Sequence, residues 1–423
     1  MLNVVIIGYV WPEPNSSAAG QNMQSIITRC VASDFNVSFL TAAAESEHKT
    51  DLTTLGVDTY AVALNCSSFN TLIENLKPDV VIFDRYMTEE QFSWRVKESC
   101  PNALRILNTE DLHSLRQARH SAVKQDGDAK KADLNSELAQ REIAAILRSD
   151  LTLVISKAEM VLLTEYYRVP NTQLHYQPLV VGETPSRSIP FETRAHFVHI
   201  GNFRHAPNWD AVLQLKQSIW PAIKKALPGA ELHIYGAYPP KKATQLHNDK
   251  QGFLVKGWAE DVVSLMENAR VLIAPLRFGA GIKGKLLDAM RCATPSITTW
   301  VGAEGIIPTN TDEDAERLSQ YNSWPGAICS TNTTESSVID DYVNKAVTLY
   351  TNQDIWEAAS TQARKMLITF SENQPDISLV DKMVKITSDI EAHRKTLFMQ
   401  SLLWHQTLSA SKYMSQWIEA KNK

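Results

Sequence analysis

The sequence has little cysteine, no long apolar run and no strong excess of charge of either sign. Its 423 residues include five cysteines and no Cys-x-x-Cys pair, which argues against a disulfide framework and a cysteine-bound metal. The net charge of −5 gives no general electrostatic reason to bind nucleic acid or an anionic membrane. No run approaches the ~20 apolar residues of a membrane span, and the N-terminus does not resemble a signal peptide. We therefore expect a cytoplasmic protein.

Short apolar runs that alternate with helical segments dominate what the chain does contain. The first, Val4–Ile7, is followed by Gly8, and this pattern is typical of a strand buried on both faces of a parallel sheet. Strands that alternate with helices indicate doubly wound α/β domains. Further strands are predicted at residues 37–40, 80–84, 104–107 and 151–155 in the first half, and at 196–200, 232–235, 252–255, 271–274 and 296–299 in the second.

The pattern breaks at residues 182–195, where Pro, Ser and Gly cluster and predict a linker. We therefore divide the chain into a Rossmann-like domain over 1–182, a second over 195–372, and C-terminal helices over 374–423. Residues 118–140 are polar and predict a solvated helix or an insertion. The last segment has a helical pattern, and Trp404 and Trp417 are its candidate apolar anchors.

The densest chemical signal follows the strand that ends at Pro275. A glycine-rich loop leads there into a helix that starts near Gly284 and carries Asp288 about one turn on. Glycines let a backbone approach a ligand, and a helix N-terminus presents free N–H groups and a partial positive charge. Lys283 and Lys285 add two charges, so the loop predicts a phosphate or nucleotide site. Its spacing is neither a Walker loop nor a GxGxxG fingerprint, and a surface loop with solvated lysines stays open as the alternative.

The loop Gly279-Ala-Gly-Ile-Lys-Gly-Lys285 resembles the nucleotide-sugar motif of group-1, family-4-like retaining GT-B glycosyltransferases. That family usually carries two glutamates eight positions apart here. The second, which contacts the donor ribose, corresponds to Asp288, and the first corresponds to Ala280 and is absent. The resemblance implies a GT-B fold, in which two doubly wound Rossmann-like domains face each other across a cleft, with C-terminal helices that cross back to the first domain.

Other stretches of the second domain resemble the same family. In Ile200–Asp210, Gly201 takes the position that closes on the donor, and Arg204 that of a basic residue on the diphosphate. The stretch with Lys256 resembles the one whose backbone reads the base. In the loop after the next strand, Glu304 either touches the sugar or caps the loop. The substrate-binding residues that the resemblance implies are Gly20, Gly201, Lys256, Gly281, Lys283, Lys285, Asp288 and Glu304.

The first domain resembles the family more loosely. Its loop ending in Gly20 matches a glycine turn where a backbone amide meets the diphosphate or the acceptor. His113 occupies a position at which related enzymes place a histidine near the donor sugar, and it would otherwise cap its own helix. Glu110 and Asp111 are either partners of that histidine or N-cap residues. The candidate catalytic residues are thus His113, Lys285 and Arg204.

The expected function is transfer of a sugar, hexosyl-like, from a nucleotide diphosphate sugar to an unidentified acceptor with retention of configuration. The acceptor is a glycan, a lipid-linked molecule, a protein or a small molecule, and peripheral membrane association is compatible with the sequence. No cofactor or metal is expected, since no Asp-x-Asp pair follows a strand near the loop. Two alternatives stay open: a nucleotide-sugar epimerase or hydrolase on the same fold, and a non-catalytic GT-B-like binding subunit, which the missing glutamate at Ala280 favours.

Overall fold

The chain folds into two parallel β-sheets, each flanked by helices. The computed structural model describes residues 1–185, 189–307, 323–333 and 335–422, without the side chains of residues 406–410. The predicted linker at 182–195 lies partly outside these residues, at 186–188. No helix in the described ranges is long and apolar enough to cross a bilayer.

The first sheet has seven parallel strands in the order β3-β2-β1-β4-β5-β6-β7. Its central strands are apolar runs buried along their whole length, which both-sided covering by helices requires. The strands are β1 Asn3–Gly8, β2 Asn36–Thr41, β3 Asp58–Ala61, β4 Val80–Asp84, β5 Leu104–Asn108, β6 Leu151–Val154 and β7 Leu174–Tyr176.

The second sheet has six parallel strands in the order β10-β9-β8-β11-β12-β13. The GT-B fold expected from the sequence is confirmed, with two Rossmann-like sheets of the same winding and helices at the C-terminus. The strands are β8 Ala195–Ile200, β9 Leu232–Tyr235, β10 Phe253–Gly257, β11 Ala269–Ala274, β12 Ser296–Thr299 and β13 Gly326–Cys329.

Helices cover both faces of each sheet and are numbered in chain order. Those between the strands of the first sheet are α1 Ala18–Ala32, α2 Ser68–Leu76, α3 Arg85–Ser99, α4 His113–Asp126, α5 Glu137–Arg148 and α6 Lys157–Val161. Those of the second domain are α7 Ala206–Gln214, α8 Trp220–Ala226, α9 Lys241–Thr244, α10 Val262–Asn268, α11 Gly284–Arg291, α12 Trp300–Ala303, α13 Ser336–Thr351 and α14 Gln353–Glu372. The final helices are α15 Leu379–Ser388, α16 Ile390–Lys395 and α17 Phe398–Asn422.

The last three helices lie against the first domain. Met383 of α15 is fully buried in the apolar cluster under the first sheet. Trp404 of α17 is buried and donates its indole N–H to the Arg148 carbonyl at 2.9 Å. Trp417 is 59% exposed, so the expectation that it anchors the segment is wrong. Of the two tryptophans, only Trp404 anchors α17, because it alone is buried against the first domain.

Candidate functional site

The carboxyl ends of the two sheets face each other, and each sheet reverses its strand order at one point. The reversal lies between β1 and β4 in the first sheet and between β8 and β11 in the second. Ligands of open α/β sheets bind outside the carboxyl ends of strands at such a switch point, because the connections diverge there and leave a crevice. The candidate site is therefore the cleft where the two switch points meet.

The glycine loop between β11 and α11 packs directly on the first domain. Gly281 has a left-handed φ of 63°, and a Cβ there would lie 2.8 Å from the Cβ of Asp111. A Cβ on Gly284 would lie 3.0 Å from that of Ala18 at the start of α1. Ala280 belongs to a buried apolar cluster of the first domain, together with Leu112. A glutamate at position 280 would place a carboxylate in that apolar contact, so the departure from the family pattern has a packing reason.

The two lysines of the loop occupy different environments. Lys285 donates from Nζ to the Asn208 side chain at 2.7 Å, beside the turn after β8, and burial lowers its pKa to about 7. Lys283 is 9% exposed and donates to the Gly281 carbonyl at 2.9 Å. Burial lowers the pKa of Lys283 as well, although Glu304 opposes the shift. Lys285 thus lies at the second switch point, whereas Lys283 lies in the contact between the domains.

Glu304 forms an ion pair across the cleft. Both of its carboxylate oxygens accept from Arg119 of α4, at 2.6 and 2.7 Å. Arg119 also donates to the Gly279 carbonyl at 2.9 Å and lies over the Trp300 ring. The sequence left two roles open for Glu304, contact with the sugar or capping of its own loop. In the structure its carboxylate pairs with Arg119, which also binds the Gly279 carbonyl, so the pair connects the glycine loop to the first domain.

The turn after β8 and the start of α7 bring Gly201, Arg204 and Asn208 to the cleft. A Cβ on Gly201 would lie 2.5 Å from the Asn208 side chain, so only glycine fits under that amide. Arg204 is exposed, and its guanidinium lies 3.7 Å from the centroid of the Tyr238 ring. Tyr238 in turn donates to Glu13 of the first domain at 2.7 Å. Arg204 is therefore held over an aromatic face at the cleft, and its guanidinium donates to no acceptor among the residues that the structure describes.

Asp288 and Lys256 flank this site on the second domain. Asp288 lies on α11 one turn beyond Lys285, and burial raises its pKa to about 6. It has no hydrogen-bond or ion-pair partner within the part of the chain that the structure describes, so its oxygens are available to a ligand. Lys256 is exposed near the end of β10.

The first domain contributes Asp111, His113 and Arg116. Nε2 of His113 lies 3.4 Å from Asp111, and Arg116 pairs with the other oxygen of the same carboxylate. Burial lowers the pKa of His113 to about 3, so its imidazole is neutral. Burial also raises the pKa of Asp111, but Arg116 and His113 outweigh it and hold that pKa well below its usual range. Glu142 accepts from the His113 amide at 3.0 Å, which leaves the imidazole free of a capping role.

Arg85 and Glu110 lie at the first switch point. The sequence did not predict Arg85 as a site residue and left two roles open for Glu110. Both have left-handed backbones, with φ of 69° and 62°, which non-glycine residues adopt at an energetic cost. Arg85 lies 3.6 Å from Asp84 and 5.3 Å from the centroid of the Tyr9 ring. Glu110 is buried, and burial, with Asp84, raises its pKa to about 8. The sequence feature that could have indicated Arg85 is an Asp-Arg pair at the end of a buried strand.

A separate depression of about 500 Å³ lies on the first domain between α4 and α5. Its lining is about equally polar and apolar and comes mostly from the segment 118–140, which the sequence left without a role. Arg141, on its rim, lies over the ring of Tyr86, and that ring contacts His113. The depression is therefore next to the histidine but outside the cleft that holds the glycine loop.

Comparison with known proteins agrees with this geometry. Residues 194–322 match the model of a family described as glycosyl transferases group 1. The matched range covers most of the second domain, including the glycine loop. No curated protein matches the chain.

Solved structures share the fold over nearly the whole chain. A mutant of TarM from S. aureus, in complex with fondaparinux, alpha-GlcNAc-glycerol and UDP, has a TM-score of 0.62 at 11% identity, covering 94% of this chain and 100% of that one. HepE from Anabaena, in complex with UDP and glucose, has a TM-score of 0.56 at 10% identity, covering 94% and 100%. WaaG, a glycosyltransferase involved in lipopolysaccharide biosynthesis, has a TM-score of 0.56 at 14% identity, covering 92% and 99%. At these identities the likeness shows the fold alone.

Proposed function

We propose that this protein transfers a sugar from a nucleoside diphosphate sugar to an acceptor, with retention of anomeric configuration and without a metal ion. The observation that carries the proposal is the position of Lys285. Its ammonium group lies at the N-terminal turn of α11, 2.7 Å from the Asn208 side chain on α7, the helix that follows the turn with Gly201. Helix dipole, free N–H groups and a lysine converge there on a leaving diphosphate.

The donor is assigned to the second-domain side of the cleft. Asp288, which has no protein partner in the described residues, accepts from the ribose hydroxyls, and the backbone around Lys256 borders the base. Arg204 reaches the diphosphate from its place over the Tyr238 ring. The printed names of the TarM and HepE complexes include UDP, so uridine diphosphate sugars are the first donors to test.

The chemistry follows from the charges around the cleft. The anomeric carbon loses its bond to the diphosphate oxygen and gains one to the acceptor oxygen on the same face. The acceptor proton passes to the departing diphosphate, so no dedicated protein base is needed. Neutral His113 orients a sugar hydroxyl, while Lys285 and Arg204 stabilise the charge that develops on the leaving group. No step needs a carboxylate at position 280.

The acceptor is assigned to the first switch point, where Tyr9 is 48% exposed and Arg85 lies beside it. Its chemical class, among glycans, lipid-linked molecules, proteins and small molecules, is left to experiment. The proposal is tested by a thermal-shift screen of nucleotide sugars followed by product analysis. Binding at a hundredfold excess over Kd stabilises the native state by about 2.7 kcal/mol.

The same screen separates the alternatives. Donor consumed without an acceptor favours an epimerase or hydrolase. Donor bound but never consumed, with any acceptor offered, favours a non-catalytic binding subunit. No shift with any nucleotide sugar contradicts the proposal itself.

A further inference from the structure

A cluster of two histidines and a glutamate lies at the opposite end of the second sheet from the cleft. β8 and β9 pair with Phe197 opposite Leu232, so His196 is opposite Glu231. Side chains alternate along a strand, which places His196, Glu231 and His233 on one face. From His196 to Gly201 the strand advances five residues, or about 16 Å at about 3.3 Å per residue. The cluster is thus separate from the proposed donor site.

The three side chains converge more closely than hydrogen bonding explains. Nε2 of His233 lies 2.8 Å from Glu231, which is a hydrogen bond, whereas Nε2 of His196 lies 3.8 Å from the same oxygen and is too far for one. The buried Nδ1 of His196 has no hydrogen-bond partner in the described parts of the chain. The backbone of His196 has a left-handed φ of 63°. The centroid of its ring lies 5.0 Å from that of the His233 ring.

These distances match the ligand spacing of a small transition-metal ion. One ligand atom from each of the three residues lies within 4.8 Å of the others. Zn–N and Zn–O bonds of about 2.0–2.2 Å in a tetrahedron put neighbouring ligand atoms about 3.3 Å apart. The observed separations of 2.8 and 3.8 Å lie on either side of that value. Side-chain rotations that bring all three ligand atoms, now within 4.8 Å of one another, to that spacing would close the site, with water as the fourth ligand.

Two of the nearby cations, Arg270 and Lys224, have other partners, whereas Lys256 attracts the Glu231 carboxylate electrostatically. Arg270, on the neighbouring strand, donates to the backbone carbonyls of Tyr350, Phe191 and Arg194. Lys224 donates to the Ala230 carbonyl at 2.8 Å. The side chains of the cluster keep between a fifth and two fifths of their surface exposed, which gives an ion a path from solvent.

We infer that His196, Glu231 and His233 form a binding site for a zinc-type divalent ion, remote from the cleft, that joins the starts of β8 and β9. Two imidazoles and one carboxylate favour Zn²⁺ or Co²⁺ over Mg²⁺ and Ca²⁺, which prefer oxygen ligands. The site is independent of the proposed transferase activity.

The test is isothermal titration of the full, tag-free chain, treated with a chelator and then dialysed, with ZnCl₂. We expect one ion per chain, and binding weaker by on the order of tenfold or more in both His233→Ala and Glu231→Gln. His247→Ala, which removes an exposed imidazole elsewhere in the same domain, should bind as the parent chain does.

Co²⁺ supplies a second readout that does not depend on the stability of a variant. Co²⁺ bound to the parent chain should give the intense visible absorption of a four-coordinate ion, displaced by Zn²⁺. Absence of stoichiometric zinc binding overturns the inference. So does zinc affinity that is the same in His233→Ala and Glu231→Gln as in the parent chain, since the ion would then lie elsewhere.

Discussion

Glu159 of the first domain accepts a hydrogen bond from the Gly281 amide of the second at 2.7 Å. The same oxygen accepts from the Leu112 amide, one residue before His113, at 3.0 Å. One buried carboxylate thus links the glycine loop to the loop that carries the histidine. With the Arg119–Glu304 pair, it holds the two switch points in a closed arrangement.

Closure should therefore depend on Glu159 and on pH. Burial, reinforced by Asp111, raises the pKa of Glu159 to about 8 from an ordinary value of 4.5. The folded protein then keeps a proton that the unfolded chain releases, so this contribution is complete below about pH 4.5 and is lost as pH rises to about 8. Glu159→Gln keeps a neutral acceptor and should remove this part of the pH dependence of Tm. Glu159→Ala leaves two buried amides unpaired, at about 1–3 kcal/mol each.

The measurement is thermal unfolding between pH 5 and 9, with the radius of gyration from small-angle scattering. Glu165→Gln, on an exposed side chain of the same segment, is the matched control. Identical pH profiles for the parent chain and Glu159→Gln would show that Glu159 is not the titrating group.

The sequence predicted the central strands of both sheets and the edge strand β10, and it missed the other three edge strands, β3, β7 and β13. Val80–Asp84 is a buried apolar run and is easily recognised. β3, Asp58–Ala61, is an edge strand with mostly exposed residues, and its sequence has no apolar alternation. Register with β2, rather than local pattern, makes it a strand.

The donor-side loop was likewise recognisable, because glycines, lysines and a helix start are close in sequence. The contacts that close the cleft were not. Glu159 and Gly281 are 122 positions apart, and Arg119 and Glu304 are 185 apart. The local sequence does not indicate that a carboxylate will accept a hydrogen bond from a distant amide, because these contacts form only when the two domains pack together.

Lys285→Ala should reduce kcat by on the order of 10²–10³-fold, because it removes one preorganised charge from the leaving diphosphate. From the sequence alone, Lys283 and Lys285 are equivalent candidates for the phosphate. Since Lys283 lies in the domain contact, we now expect its main effect on Tm, with a smaller loss of kcat. Lys250→Ala, at an exposed site, is the control. Steady-state kinetics of the three variants measure these changes in kcat, and a wild-type kcat in Lys285→Ala would refute the phosphate assignment.

Donor binding should also weaken as pH rises through about 7. Burial lowers the pKa of Lys285 to about that value, and its charged form is the one present below it. The parent chain should show a donor KM that increases above pH 7, and Lys285→Ala should lack that inflection. A KM that is flat from pH 6 to 8.5 in the parent chain would contradict this assignment.

Asp288→Asn should raise the donor KM and leave kcat nearly intact. The proposed ribose hydroxyls change little between ground state and transition state, so the lost interaction is uniform binding. Initial rates over a donor series measure both constants. A collapsed kcat with unchanged KM would instead make Asp288 a residue that acts on the reacting atoms.

Turnover should be insensitive to EDTA. Lys285, Arg204 and the N-terminus of α11 supply the positive charge that a metal ion supplies elsewhere. The inferred zinc site lies about 16 Å along β8 from Gly201, so stripping it should change Tm and leave kcat within about twofold. Loss of turnover on EDTA treatment, restored by Mg²⁺ alone, would mean that the diphosphate needs a metal.

The product should keep the anomeric configuration of the donor. In the proposed mechanism the departing diphosphate takes the acceptor proton on the same face, because Asp111 is already paired with Arg116 and His113. Neutral His113 is too weakly basic, with a pKa of about 3, to serve as a general base at neutral pH. NMR of the first-formed product measures the configuration before any mutarotation. His113→Asn, which retains a hydrogen-bonding side chain, should lower the rate and still give the retained anomer, whereas an inverted anomer from the parent chain would require a protein base on the opposite face and would overturn the mechanism.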